Sequence, residues 1–286
     1  MNNITYPHEH VVIDLTQQKH NPDCYLNAKL HAVDEYRELK QHGVNRIVDC
    51  SNYGIGKNEE VVQYIEETVG IEIIRSTGFY KDPFFPEWFT EKTVSEIAAV
   101  MIDDIQNNGC KVIGEIGTSL NQMTVNEEKL FEAACIAQKA TNAVIITHTT
   151  LGTYQKEQAD FFKKRGIDLS KVIISHVALS KNIEWIRSVL ESGANVAFDT
   201  IGKGDYFDDD TQAKWIKQLI DSGYRDHLLI SMDITRQSHL KKNNGIGYCY
   251  LMDVFVAKLL DKQVSYRDIE HIMTENFDRI LKGAMQ

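Results

Sequence analysis

The sequence predicts an α/β fold of the (β/α)8 TIM-barrel type. Three observations carry that prediction. Short β-branched runs recur eight times along the 286 residues. They are continuous apolar runs, as strands buried on both faces are. Helix-like segments lie between them, several closed by a glycine, the usual C-terminal stop. The competing architecture, a doubly wound open sheet, would normally show a Gly-rich phosphate loop after its first strand. Here "YGIGKNEE" at 53–60 holds only a lone GxG, which reads as a turn. Strand–helix alternation on this scale fits the barrel.

Taken in order, the first strand is expected at "HVVIDL", 10–15, followed by the helix "EYRELKQHG" at 35–43, ending in Gly43. Strands two to four are read at "RIVDCS" (46–51), "IEIIRSTGF" (71–79) and "CKVIGEIGT" (110–118). The stretch "EEKLFEAACIAQKAT" at 127–141 has apolar residues at helical spacing. Strands five to eight follow at "AVIITHT" (143–149), "VIISHVAL" (172–179), "NVAFDTIG" (195–202) and "LLISMDIT" (228–235). Helices "IEWIRSVLESG" at 183–193 and "DTQAKWIKQLIDSG" at 210–223 end in Gly193 and Gly223. Two closing helices are expected near 248–262 and 266–282, the second capped by Ser265 with Asp268. No repeat, linker or low-complexity tract divides the chain, so residues 1–286 are expected to form one domain.

Composition narrows the function. The formal net charge is −10 without long blocks of like charge, which argues against nucleic acid or an anionic membrane surface as the main partner. A small substrate, even an anionic one, remains compatible, because local lysines can line a pocket. No apolar run reaches the roughly 18 residues a membrane helix needs, and the N-terminus lacks a signal-peptide shape. The five cysteines, Cys24, Cys50, Cys110, Cys135 and Cys249, are odd in number, scattered and without a CxxC. A reducing, cytoplasmic setting fits them better than a disulfide framework or zinc ribbon. A homo-oligomer stays open.

The chemistry-bearing residues sit where the predicted strands begin or end. In "TYPHEHVVIDL", His8 and His10 lie two apart; on extended chain they point the same way, and Glu9 points the other way. Glu115 ends strand four, His148 strand five, His176 strand six and Asp233 strand eight. All strands of a parallel barrel end on one face, where active sites lie. Buried imidazoles and carboxylates without partners are costly, so six of them at one barrel face read as metal ligands. Six exceed what one tetrahedral zinc takes. Two divalent ions about 3.5–4 Å apart, sharing a carboxylate and a hydroxide, would use them all. Glu115 is the expected bridge, with His8, His10 and Asp233 on one ion and His148 and His176 on the other. Zinc suits these ligands best; manganese, cobalt and iron are alternatives. The expected reaction is hydrolysis at a carbonyl or phosphorus centre by the bridging hydroxide, with Asp233 moving the proton to the leaving group.

The segments "HEH", "VIGEIGTS", "ITHTT", "ISHVAL", "FDTIGK" and "LISMDITRQSHLKKNNGIGYCYL" resemble the phosphotriesterase family of the amidohydrolase superfamily, nearest its phosphotriesterase homology subgroup, over residues 6–280. The resemblance implies a (β/α)8 barrel with a binuclear zinc centre on His8, His10, Glu115, His148, His176 and Asp233. In the phosphotriesterases proper the bridge is a carboxylated lysine. Here Glu115 holds that place, and Lys111 lies four residues earlier, about 13 Å away along a strand. The departure turns expectation from phosphotriesters toward an ester or lactone, including a phosphorylated sugar lactone. TatD-type hydrolases, some of them nucleases, share the metal pattern and form the first alternative. A metal-stabilised, non-catalytic binding barrel forms the second.

Weaker signals remain. The aromatic loop "FYKDPFFPEWF" at 79–89 reads equally as a substrate wall or as loop packing. Lys203 after strand seven and Arg236 after strand eight stand where barrels often bind phosphate and are the candidate substrate-binding pair. His20, His31, His42, His227, His239 and His271 fall on predicted loops or helices and read as non-ligands, His239 the least firmly because it follows Asp233 closely.

Overall fold

The structure, a computed structural model, describes residue 1 and residues 3–282. Eight strands form one sheet whose order follows the chain. They are β1 (Ile4–Glu9), β2 (Val44–Asp49), β3 (Glu72–Thr77), β4 (Val112–Thr118), β5 (Val144–Thr149), β6 (Val172–Ile174), β7 (Asn195–Phe198) and β8 (Leu228–Ile230). The pairings β1–β2, β4–β5, β5–β6 and β6–β7 are all parallel. The last strand returns to the first: the His8 N–H donates to Ser231 Oγ at 3.2 Å, and the same Oγ lies 2.9 Å from the His8 carbonyl oxygen. This is the TIM-barrel-like (β/α)8 architecture.

One expected strand lies elsewhere. The run at 10–15 is not the first barrel strand; "ITYPHE" at 4–9 is, and all six of its residues are buried. Val12–Asp14 instead pairs antiparallel with Tyr25–Asn27 in a small separate sheet. Pro7 concealed the true strand, since a proline demotes a run in any sequence-based reading. The β1–β2 register shifts between Tyr6 and Glu9, so the proline sits at a ladder irregularity, where its missing N–H is tolerated.

The helices fall close to expectation, at Val33–Gln41, Val125–Thr141, Ile183–Glu191 and Asp209–Asp221. The closing pair is more broken. A π-helical turn at Leu251–Phe255 leads into Val256–Asp261. The last helix divides into Tyr266–Thr274 and Asn276–Lys282. Asn276 explains the division: its buried amide donates to the carbonyls of Arg225 and Leu228 at 2.8 and 2.7 Å, which fixes the chain there. Ser265 caps the Tyr266 helix as expected, accepting from the Asp268 N–H.

Two compact units can be distinguished. The first comprises Met1–Ser51, Ile55–Ile74 and Phe198–Phe277. Its core includes Ile4, Tyr6, Tyr36, Leu39, Ile47, Tyr248 and Phe255, all fully buried. The second comprises Asn52–Gly54, Arg75–Ala197 and the chain from Asp278. Val112, Ile113, Val144, Ile146, Phe131 and Phe162 are buried in it. Among the described residues no helix is long and apolar enough to cross a membrane.

Candidate metal centre

Each unit carries one group of metal-ligating side chains from the predicted set. In the first, one ligand atom each from His8, His10 and Asp233 lies within 4.8 Å of the others. All three residues are buried. His8 is the penultimate residue of β1, His10 follows the strand, and Asp233 follows β8. His10 Nε2 is 3.3 Å and His8 Nε2 4.0 Å from Asp233 Oδ1. The opposite ring nitrogens are held by other partners. His8 Nδ1 is 3.2 Å from Asp199 Oδ2, and His10 Nδ1 is 3.1 Å from Ser51 Oγ. Both imidazoles are thereby turned with Nε2 toward Asp233. A carboxylate or hydroxyl behind a ligating imidazole is the usual way to fix its tautomer and orientation.

Asp233 is itself held from behind by Glu9. Fully buried, Glu9 accepts at Oε1 from the Ser231 hydroxyl (2.8 Å), the Met232 N–H (2.7 Å) and the Asp233 N–H (3.2 Å). Its Oε2 accepts from the Ile234 N–H at 3.1 Å. Burial pushes the Glu9 carboxyl up, and these bonds pull it back down. Three successive N–H groups bound to one carboxylate clamp the turn in which Asp233 adopts φ 50°, a left-handed conformation that costs on the order of 1–3 kcal/mol for a non-glycine residue. The alternation argument correctly turned Glu9 away from the two histidines; its role as a clamp on β8 depends on long-range contacts and could not be seen in the sequence. Asp199 was also missed, although an aspartate closing an apolar strand, "NVAFD", is a signal of the same kind as the others.

The second unit groups Glu115, His148 and His176. Glu115 Oε2 is 3.1 Å from His148 Nδ1 and 3.3 Å from His176 Nε2. The two rings meet edge to face at 4.6 Å. Glu115 sits within β4, and the Asn52 amide donates to its carbonyl at 2.7 Å. The preceding residue must be glycine: Gly114 has φ 155°, and a Cβ there would come within 2.4 Å of the Ile146 carbonyl oxygen. His176 sits in the left-handed region at φ 58°, like Asp233. Burial lowers His148 to about 4, against the opposing pull of Glu115, so its ring is neutral at physiological pH. The Tyr80 hydroxyl lies 3.2 Å from both nitrogens of His148. Tyr80 belongs to the aromatic loop, where Phe79, Phe84 and Phe89 are buried and, of the aromatic residues, Trp88 is exposed. That loop is packing for the most part, with Tyr80 reaching the candidate ligands.

The donor set fits divalent metal: two groups of imidazoles with a carboxylate, drawn from the ends of strands or just beyond them and, for Glu115, from within β4. The two residues of the predicted phosphate pair have separate partners in this structure. Lys203 is buried and donates from Nζ to Asp233 Oδ2 at 2.6 Å and to the Asp233 carbonyl oxygen. Arg236 is about a third exposed and leans toward Asp23, with Nη1 3.8 Å from Oδ2. His239 belongs to no ligand group among the described residues; burial, then the charge of Lys203, lowers it to about 4.

Comparison with known proteins agrees with this picture. The chain is 37% identical over 278 residues to the phosphotriesterase homology protein of Escherichia coli, covering 95% of each. The crystal structure of that protein, with phosphate in its active site, superposes with a TM-score of 0.95 over 98% of this chain and 99% of that one, at 36% identity. An N-acetyltaurine hydrolase of Danio rerio is 27% identical, covering 92% of this chain and 80% of that protein. A lactonase of Listeria monocytogenes shares the fold, with a TM-score of 0.91 at 24% identity over 98% of this chain and 94% of that one. The family model describing the phosphotriesterase family matches residues 2–281. The chain belongs to the phosphotriesterase family.

Proposed function

We propose that the chain is a metal-dependent hydrolase of esters or lactones. The observation that carries the proposal is the pair of triads, His8–His10–Asp233 and Glu115–His148–His176, all buried except the half-buried His148, on or just beyond strands of the eight-stranded sheet. Each triad would hold a divalent ion, with zinc the metal these ligands suit best and Glu115 the shared ligand that the family resemblance suggests. Bound there, the ions would acidify a water and polarise the electrophilic carbonyl.

The chain's own residues supply the rest. Asp233 is the group suited to accept the attacking water's proton and return it to the leaving group. Its Oδ1 faces the two imidazoles while Lys203 holds Oδ2. Asp199 and Ser51 keep both imidazoles aimed. Lys203 and Arg236 remain the groups we assign to an anionic end of the substrate, such as the phosphate of a sugar lactone; the phosphate in the active site of the E. coli relative supports that assignment. Arg236 would then exchange Asp23 for the ligand. The TatD-type alternative draws no support from the family match.

Metal-loaded chain tested against lactones, carboxyl esters, phosphorylated sugar lactones and N-acyl amides decides the matter. Turnover of a lactone or ester that Asp233→Asn removes is the expected result. Bound metal without turnover on any of the four classes would overturn the reading in favour of a binding barrel. Activity confined to N-acyl amides would move the chain beside the N-acetyltaurine hydrolases.

A further inference from the structure

The first unit holds another set of metal-binding side chains that shares no residue with the triads. On the helix Val33–Gln41 and its cap, Glu38 and His42 stand one turn apart, the His42 N–H donating to the Glu38 carbonyl at 3.1 Å. Cys249 and Asp253 are spaced the same way, the Asp253 N–H donating to the Cys249 carbonyl at 2.8 Å. The two turns meet. Ligand atoms of Glu38, His42 and Cys249 lie within 4.8 Å of one another, and His42 Nε2 is 3.3 Å from Asp253 Oδ1. We propose that Glu38, His42, Cys249 and Asp253 form a second kind of metal site, for a thiolate-binding divalent ion of the zinc class. His42 is thus a ligand, where its helical position alone reads as a surface histidine.

The charges around the cluster favour a cation. Lys241 Nζ lies 2.5 Å from Glu38 Oε1 and 3.6 Å from Asp253 Oδ2, so the two carboxylates already enclose one positive charge. A divalent ion on one thiolate, two carboxylates and a neutral imidazole carries one excess negative charge. Lys241 beside it makes the assembly neutral. A sulfur–nitrogen–oxygen ligand set suits zinc. Cys249 is fully buried. Metal binding breaks the S–H bond, releases that proton to solvent and forms the sulfur–metal bond. The side chains of Glu38 and His42 are 36% and 34% exposed, which gives the ion a way in.

Cobalt(II) separates this site from the triads, which contain no cysteine. Full-length chain stripped of metal and titrated with Co2+ to saturation should develop a near-ultraviolet thiolate-to-cobalt band whose final intensity corresponds to one thiolate-bound cobalt per chain. Cys249→Ser should abolish the band and lower total bound metal by one equivalent. His42→Ala, a change at a half-exposed position, guards against misfolding of the cysteine variant. Loss of an outer-shell partner alone weakens metal sites by about 10–100-fold, so losing this ligand should weaken the titration by at least that much. No band in the wild type, or a band that survives Cys249→Ser, would overturn the proposal.

Discussion

At the scale of single residues, the site is a set of short-range devices that aim ligands. Asp233 illustrates how much is asked of one side chain. It faces His8 and His10, accepts from Lys203, and lies in a left-handed turn clamped by Glu9. Asp233→Asn preserves volume and removes basicity. If the proton-transfer role holds, turnover drops by about 10²–10⁴, while elemental analysis shows metal retained. Normal turnover with full metal content would remove Asp233 from that role. Glu9→Gln tests the clamp. The amide keeps one acceptor but turns an NH2 toward backbone N–H groups. Each buried donor left unsatisfied costs about 1–3 kcal/mol, so a marked drop in Tm is expected, together with weaker metal binding at the His8–His10–Asp233 triad. Unchanged Tm and affinity would mean that the turn holds itself.

At the scale of elements, helix ends tie the strands to the loops that follow them. Thr124 and Glu127 form a reciprocal cap on the helix Val125–Thr141. Buried Glu127 also accepts from the Ser119 N–H at 3.1 Å and the Ser119 hydroxyl at 2.6 Å, just past β4, the strand that carries Glu115. Thr124→Ala should cost about 1 kcal/mol, the usual value of an N-cap. Glu127→Ala should cost more, because it strands the Ser119 donors as well. Equal losses in thermal unfolding would confine Glu127 to the cap. Much of this level was legible in the sequence. Gly43, Gly193 and Gly223, each with positive φ, mark helix ends within two residues of where the helices stop. The candidate ligands Glu115, His148, His176 and Asp233 stood out because polar residues interrupt or close apolar strands. The first strand was misplaced because Pro7 masks a β pattern whose cost is absorbed by a register irregularity, a tertiary fact. Glu9 and Ser51 were silent for the same reason: their partners lie 223 and 41 positions away, and no local pattern encodes such pairings.

At the scale of the whole molecule, a chain with net charge −10 buries carboxylates at its candidate metal sites and relies on positive charge to balance them. Metal and stability should therefore be linked. An ion that binds only the folded chain stabilises it by about 2.7 kcal/mol at a free concentration one hundred times its dissociation constant. Chelation should lower Tm, and zinc should restore it. The stoichiometry must be measured where the peripheral cluster cannot contribute, in the Cys249→Ser background. There, fully loaded chain should hold about two equivalents of zinc, one for each barrel triad. If Glu115 is the shared ligand of the proposed reading, Glu115→Ala in that background should lose most of both and most of the rise in Tm on adding zinc. A count of one in the Cys249→Ser parent would rule out the binuclear reading. A count of two that falls only to one in the Glu115 variant would leave both ions in place but show that Glu115 serves a single site, and the bridge would have to be sought in another group.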